Sequence, residues 1–87
     1  MSAATAFVYV LRCADASLYT GWTNDLPKRL AAHAAGTASR YTRSRLPVEL
    51  VLVLAQPDRS AAMREEARIK RLPRAQKLVL VAAAAPR

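Results

Sequence analysis

Two short runs separated by five residues set the tightest limit on how this chain can fold. FVYVLR (7–12) and LYTGW (18–22) are rich in β-branched and aromatic residues, and the first holds neither Gly nor Pro, which is the composition of strands. The intervening CADAS (13–17) is so short that the second run must return antiparallel to the first. Side chains alternate along a strand, so a hairpin turning about residue 15 sets Tyr9 opposite Gly21. Tyr9, Tyr19 and Gly21 then share one face. The two tyrosines become diagonal neighbours with Cα atoms about 7 Å apart, and Gly21 leaves open the space facing Tyr9. A slip of one residue would separate the tyrosines. Trp22 falls on the reverse face, toward a core.

The strand runs into a helix. TND (23–25) offers three N-caps, Pro27 suits the first turn, and Gly36 follows LPKRLAAHAA as a stop. Leu26, Leu30 and Ala34 form the apolar stripe of this helix, and Arg29 and His33 sit one turn apart along its flank. TASRYTRSRLP (37–47) has no apolar periodicity and reads as a basic loop. VELVLVLA (48–55) is nearly continuous in apolar residues, as expected of a strand covered on both faces. QPDRS supplies a turn and a cap for a helix over about 60–71, and another follows from Pro73 to about Val81. The composition of KLVLV admits a strand there, but its Gln-Lys and Ala neighbours favour helix. The expected fold is α+β: a small three-stranded antiparallel sheet flanked by helices, in the order β-β-α-β-α-α. Residues 1–87 read as a single domain, with a core over about 7–81 and a frayed, low-complexity tail at 82–87.

With 53% hydrophobic residues the chain can fill one compact core. One cysteine excludes an internal disulfide, and one Cys with one His excludes a structural zinc site. No apolar run approaches the ~20 residues that span a bilayer, and the start lacks the basic region of a signal peptide, so a cytoplasmic location is expected. The net charge of +8 and pI of 10.9 favour a polyanionic partner, nucleic acid before an acidic membrane surface.

On these residues alone two phenols, a guanidinium and an imidazole can meet where a phosphate could sit. Plain packing is the competing reading: strand tyrosines commonly fill a core or rim, a lone helix histidine is commonly solvated, and Arg29 could hold a carboxylate. Glu66 could simply be the i,i+4 partner of Lys70, while Glu65 points about 100° away round the helix.

The ordered set goes further. VYV (8–10) and YTG (19–21) resemble the two halves of the GIY-YIG motif, with the tyrosines ten residues apart. Arg29 follows ten residues later and His33 one turn beyond, and Glu66 in REEARIKRL matches the family's metal-binding glutamate. LRCADASLYTGWTNDLPKRL, SRYTRSRLPVEL and EEARIKRLPRAQK are similar to the short, single-domain bacterial members of that nuclease superfamily, and the likeness spans roughly 7–80. VYV and YTG depart from the parent tripeptides but keep both tyrosines and the last glycine. Ala-Ala-Gly follows His33 where many relatives carry an asparagine.

The resemblance implies a metal-dependent endonuclease that hydrolyses phosphodiester bonds in DNA, with branched, nicked or single-stranded forms as candidate substrates and RNA left open. It implies catalytic roles for Tyr9, Tyr19, Arg29, His33 and Glu66, with Glu66 as ligand to Mg²⁺ or Mn²⁺ and Gly21 as a structural gap. Tyr9 is the first candidate for general base, Tyr19 an alternative that could share the role, and His33 a proton relay or phosphate ligand. Arg40, Tyr41, Arg43, Arg45 and Lys70 are candidate nucleic-acid contacts, Tyr41 by stacking on a base or by anchoring its own loop. Larger members carry separate DNA-binding domains, which leaves room here for a protein partner that supplies targeting. The rival expectations are a nucleic-acid-binding module with little or no independent cleavage, and an interaction domain whose basic surface meets an acidic protein.

Overall fold

The computed structural model describes residues 4–84. Three antiparallel strands, β1 (Ala6–Arg12), β2 (Leu18–Thr23) and β3 (Glu49–Gln56), form one sheet in the order β2-β1-β3. The hairpin register pairs Tyr9 with Gly21, Val8 with Trp22 and Leu11 with Tyr19, as the five-residue connection requires. Asp15 tightens that connection by accepting from both the backbone N–H and the hydroxyl of Ser17.

Each face of the sheet has its own layer. Val8, Val10 and Leu52 point to one side, where they pack with Ala62 and Ile69 of α3 (Arg59–Lys70) and Val81 of α4 (Arg74–Ala84) to form the main core. Trp22 packs against its margin, and the Arg59 guanidinium lies over its ring. Tyr9 and Leu11 point to the other side, under α1 (Leu26–Ala34) and the short α2 (Arg40–Arg43). Asp25 caps α1 by accepting from the Lys28 N–H, and Gly36 leaves the helix at φ +79°, a conformation open to glycine. Asp58 caps α3 in the same way through the Ala61 N–H.

Four expectations change. Residues 40–43 form a helical turn rather than loop, because the Ser39 hydroxyl caps it through the Thr42 N–H. The strand β3 is an edge strand covered on one face only. Its Leu52 is buried, but Leu50 and Val53, which share the Tyr9 face, are half open to solvent. A bulge at Val51 shifts its register between Val10 and Leu11 of β1. On α1 the inward face runs through Leu26, Leu30 and His33, while Ala34 is exposed, because His33 finds polar partners inside and alanine gains little from burial. Helix α4 continues to Ala84, so of the expected frayed tail only 85–87 lies outside the described residues. No described helix is long and apolar enough to cross a membrane.

Candidate active site

The site grows from the hairpin. Tyr9 is 1% exposed, and its ring lies directly over Gly21: a Cβ built there would stand 2.5 Å from the Tyr9 hydroxyl oxygen and 2.7 Å from Cζ. Only glycine leaves that space. Tyr19 flanks it with ring centroids 6.5 Å apart. Helix α1 begins within two residues of the end of β2, where Thr23 Oγ1 accepts from the Asp25 N–H and ties the turn down. The helix therefore folds back over the tyrosine face, and His33 in its last turn arrives edge-on to both rings, 5.5 Å from Tyr9 and 5.3 Å from Tyr19 by centroid.

His33 is the centre of the arrangement. It is fully buried against the tyrosine face, which excludes the competing reading of a solvated histidine, and both of its ring nitrogens are engaged. Nε2 lies 2.8 Å from the Tyr9 hydroxyl and Nδ1 lies 2.9 Å from Thr42 Oγ1. Thr42 is itself fully buried and lies 2.9 Å from the hydroxyl of Ser39. Burial, and then the nearby Arg29 charge, push the His33 pKa down. Both influences favour the neutral ring. For Tyr9, burial and then the neighbouring Tyr19 push the phenol pKa well above its ordinary value; Arg29 pulls the other way and Glu66 adds to the rise.

Those opposed influences place Arg29 and Glu66 within electrostatic reach of the same phenol. Arg29 stands one turn before His33 and is exposed, beside a cavity of about 240 Å³ lined by Thr23, Asn24, Asp25, Lys28 and Ala32 as well. Glu66 lies on α3 between the buried Ala62 and Ile69 at i, i+4 and i+7 spacing, which turns it inward. Its side chain is 21% exposed, and Oε2 lies 3.5 Å from the Lys70 ammonium. Glu65, by contrast, is held by a two-point contact to Arg68, which lowers its pKa.

The remaining basic residues divide. Arg40 and Arg43 are exposed at the two ends of α2, either side of Tyr41 and Thr42. Arg45 is engaged: its Nε donates to Asp15 at 3.0 Å, and its guanidinium lies 3.8 Å over the Tyr41 ring. That ring also stacks near Tyr19 at 5.9 Å, so Tyr41 buttresses the aromatic cluster. Thr42 and Ser39 carry no motif that marks them in the sequence. Their signal is Ser39 capping three residues ahead of Thr42, the spacing of a helix start, and a lone histidine in need of a second partner.

Among the described residues no three His, Cys, Asp or Glu side chains cluster as a ready-made metal cage. A single inward carboxylate does fit magnesium, which keeps several waters and is commonly bound by one or two carboxylates together with substrate phosphate.

Comparison with known proteins places these residues in context. Residues 5–78 match the family described as GIY-YIG catalytic domain. A UPF0213 protein of Oceanobacillus iheyensis is 52% identical over 75 residues, covering 86% of this chain and 87% of that protein. One from Natronomonas pharaonis is 52% identical over 80 residues, with 92% and 94% covered. The solution NMR structure of a UPF0213 protein from Bacillus halodurans is 43% identical, covers 93% of this chain and 87% of its own, and superposes with a TM-score of 0.62.

Proposed function

This chain belongs to the GIY-YIG catalytic-domain family, a family of nucleases, and we propose that it is a metal-dependent endonuclease hydrolysing phosphodiester bonds in DNA. The observation behind this proposal is a buried phenol whose hydroxyl lies 2.8 Å from an imidazole nitrogen, with the charges of Arg29 and Glu66 acting on it in opposite directions.

A free phenol, with pKa ≈ 10, is a poor base at neutral pH, and burial makes Tyr9 poorer still. Its use as a base requires somewhere for its own proton to go, and His33 Nε2 is in place to take it. In the step we propose, the Tyr9 O–H proton passes to Nε2 while Oη takes a proton from the water attacking phosphorus. The bond to the 3′-oxygen breaks, leaving a 5′-phosphate. The 3′-oxygen gains a proton from solvent, and the imidazolium returns one, so the enzyme ends as it began. Arg29 faces the phosphoryl oxygens, where its fork makes two charge-assisted hydrogen bonds, and its charge also favours the phenolate. Tyr19 packs against both reacting rings and orders the water or phosphate. Glu66 would hold Mg²⁺ or Mn²⁺, which supplies charge stabilisation at the scissile phosphate and cancels the carboxylate's opposition to the phenolate. Arg40, Arg43 and, once released from Asp15 and Glu66, Arg45 and Lys70 meet the backbone without reading sequence.

Two features favour a second reading, a nucleic-acid-binding module that cuts only with a partner: the raised Tyr9 pKa and the Lys70 ammonium already beside Glu66. Purified protein incubated with labelled linear, nicked and branched DNA, with Mg²⁺, Mn²⁺ or chelator, separates the two. Metal-dependent cutting that disappears in Glu66→Ala supports the endonuclease. Binding without cutting in every condition supports the module.

A further inference from the structure

We infer that Thr42 is a positioning residue for Tyr9: its hydroxyl oxygen accepts the His33 Nδ1 proton, which leaves the Nε2 lone pair facing the Tyr9 hydroxyl. The inference rests on the proposed role of Tyr9 as a base, and the geometry of the tautomer stands on hydrogen bonds alone.

A neutral imidazole carries one N–H, and the partners decide where it sits. Tyr9 is 1% exposed, and its hydroxyl has His33 Nε2 at 2.8 Å as its side-chain partner. Were the ring proton on Nε2, the phenol proton would be left in a buried setting without an acceptor, which is the costlier arrangement. With the proton on Nδ1 the chain from Tyr9 through His33 to Thr42 runs in one direction. Tyr9 donates to Nε2, Nδ1 donates to Thr42 Oγ1 at 2.9 Å, and the Thr42 hydroxyl donates on to Ser39, whose Oγ lies 2.9 Å away. Ser39 in turn is held by the Thr42 N–H, which it caps at 3.1 Å. The short helix α2 thereby sets the tautomer of a histidine carried by α1. The arrangement prepares Nε2 for the Tyr9 proton, and the resulting imidazolium keeps its Nδ1–H on Thr42.

The chain has a single histidine, so long-range ¹H–¹⁵N correlation of the ring in the full-length protein reports His33 without assignment work. At pH 7.5 wild type should show a protonated Nδ1 and a lone pair on Nε2. Thr42→Ser keeps that pattern; Thr42→Val, of similar shape but without an acceptor, moves the proton toward Nε2. In the cleavage assay Thr42→Val should lower kcat by roughly ten- to a hundredfold with KM little changed, and Thr42→Ser should restore most of it. An Nε2-protonated ring in wild type overturns the inference, whether or not Thr42→Val folds. So does a Thr42→Val protein with the wild-type ring pattern. A wild-type protein with the expected tautomer but no cleavage under any metal condition keeps the Thr42 assignment and removes the nuclease reading instead.

Discussion

Adding one methyl group at Gly21 should disable the site without touching any charged residue. The Cβ of Gly21→Ala would stand 2.5 Å from the Tyr9 hydroxyl oxygen, so the ring must retreat by roughly 0.9 Å to reach ordinary van der Waals contact. Tyr9 is 1% exposed, and displacement takes its hydroxyl off His33 Nε2. Overpacking of this kind costs about 1–3 kcal/mol, which for a domain this small lowers Tm by roughly 5–20 °C. A misplacement near 1 Å at a reacting group costs about a hundredfold in rate. Thermal unfolding and cleavage kinetics measure the two effects. Adding Tyr9→Phe to Gly21→Ala removes the nearest clashing atom but leaves Cζ at 2.7 Å, so the double variant should regain part of the stability and none of the activity. A Gly21→Ala protein that melts with wild type and cuts at the wild-type rate would refute the placement of Tyr9 over Gly21.

Stability should also depend on the protonation of His33. Burial and then Arg29 lower its pKa below the ordinary 6.5, so below that pH the unfolded chain binds a proton that the folded protein does not. The His33 contribution is whole above about pH 6.5 and is lost as pH falls through the lowered folded-state value. Urea midpoints measured from pH 7.5 to 5 should fall on acidification, and the fall should flatten in His33→Gln. For DNA, replacing both Arg40 and Arg43 with alanine should lower the steepness of log K against log salt by about 2 on duplex substrate. Fluorescence anisotropy across a salt series checks this, and it should leave the His33 ring spectrum unchanged.

The hairpin and the helix caps were legible in the sequence because their causes are local. A five-residue connection fixes register, and Asp25 and Asp58 cap through residues only three positions away. The shared face of Tyr9, Tyr19 and Gly21 follows from that register, and the family motif adds Arg29, His33 and Glu66 in order. What escaped depends on contacts between segments distant in sequence. The second partner of His33, Thr42, comes from a different helix nine residues away, and helical periodicity alone cannot say which polar residue a buried histidine will meet. The short α2 carries no apolar period, so its only sequence mark is the Ser39 cap. An unbroken apolar run did not reveal that β3 is an edge strand. Whether a strand is covered on one face or two is decided by where the helices α3 and α4 pack, not by the run itself.

The central claim is that Tyr9, Tyr19, Arg29, His33 and Glu66 converge on one phosphate and one metal ion. Paramagnetic broadening by Mn²⁺ tests it directly, in the presence of a cleavage-resistant phosphorothioate oligonucleotide, with Glu66→Gln as control. Broadening centred on the Tyr9, Tyr19, Arg29 and His33 side chains, and abolished by Glu66→Gln, is the predicted result. Broadening that persists in the variant, or that centres on residues remote from Tyr9, would contradict it.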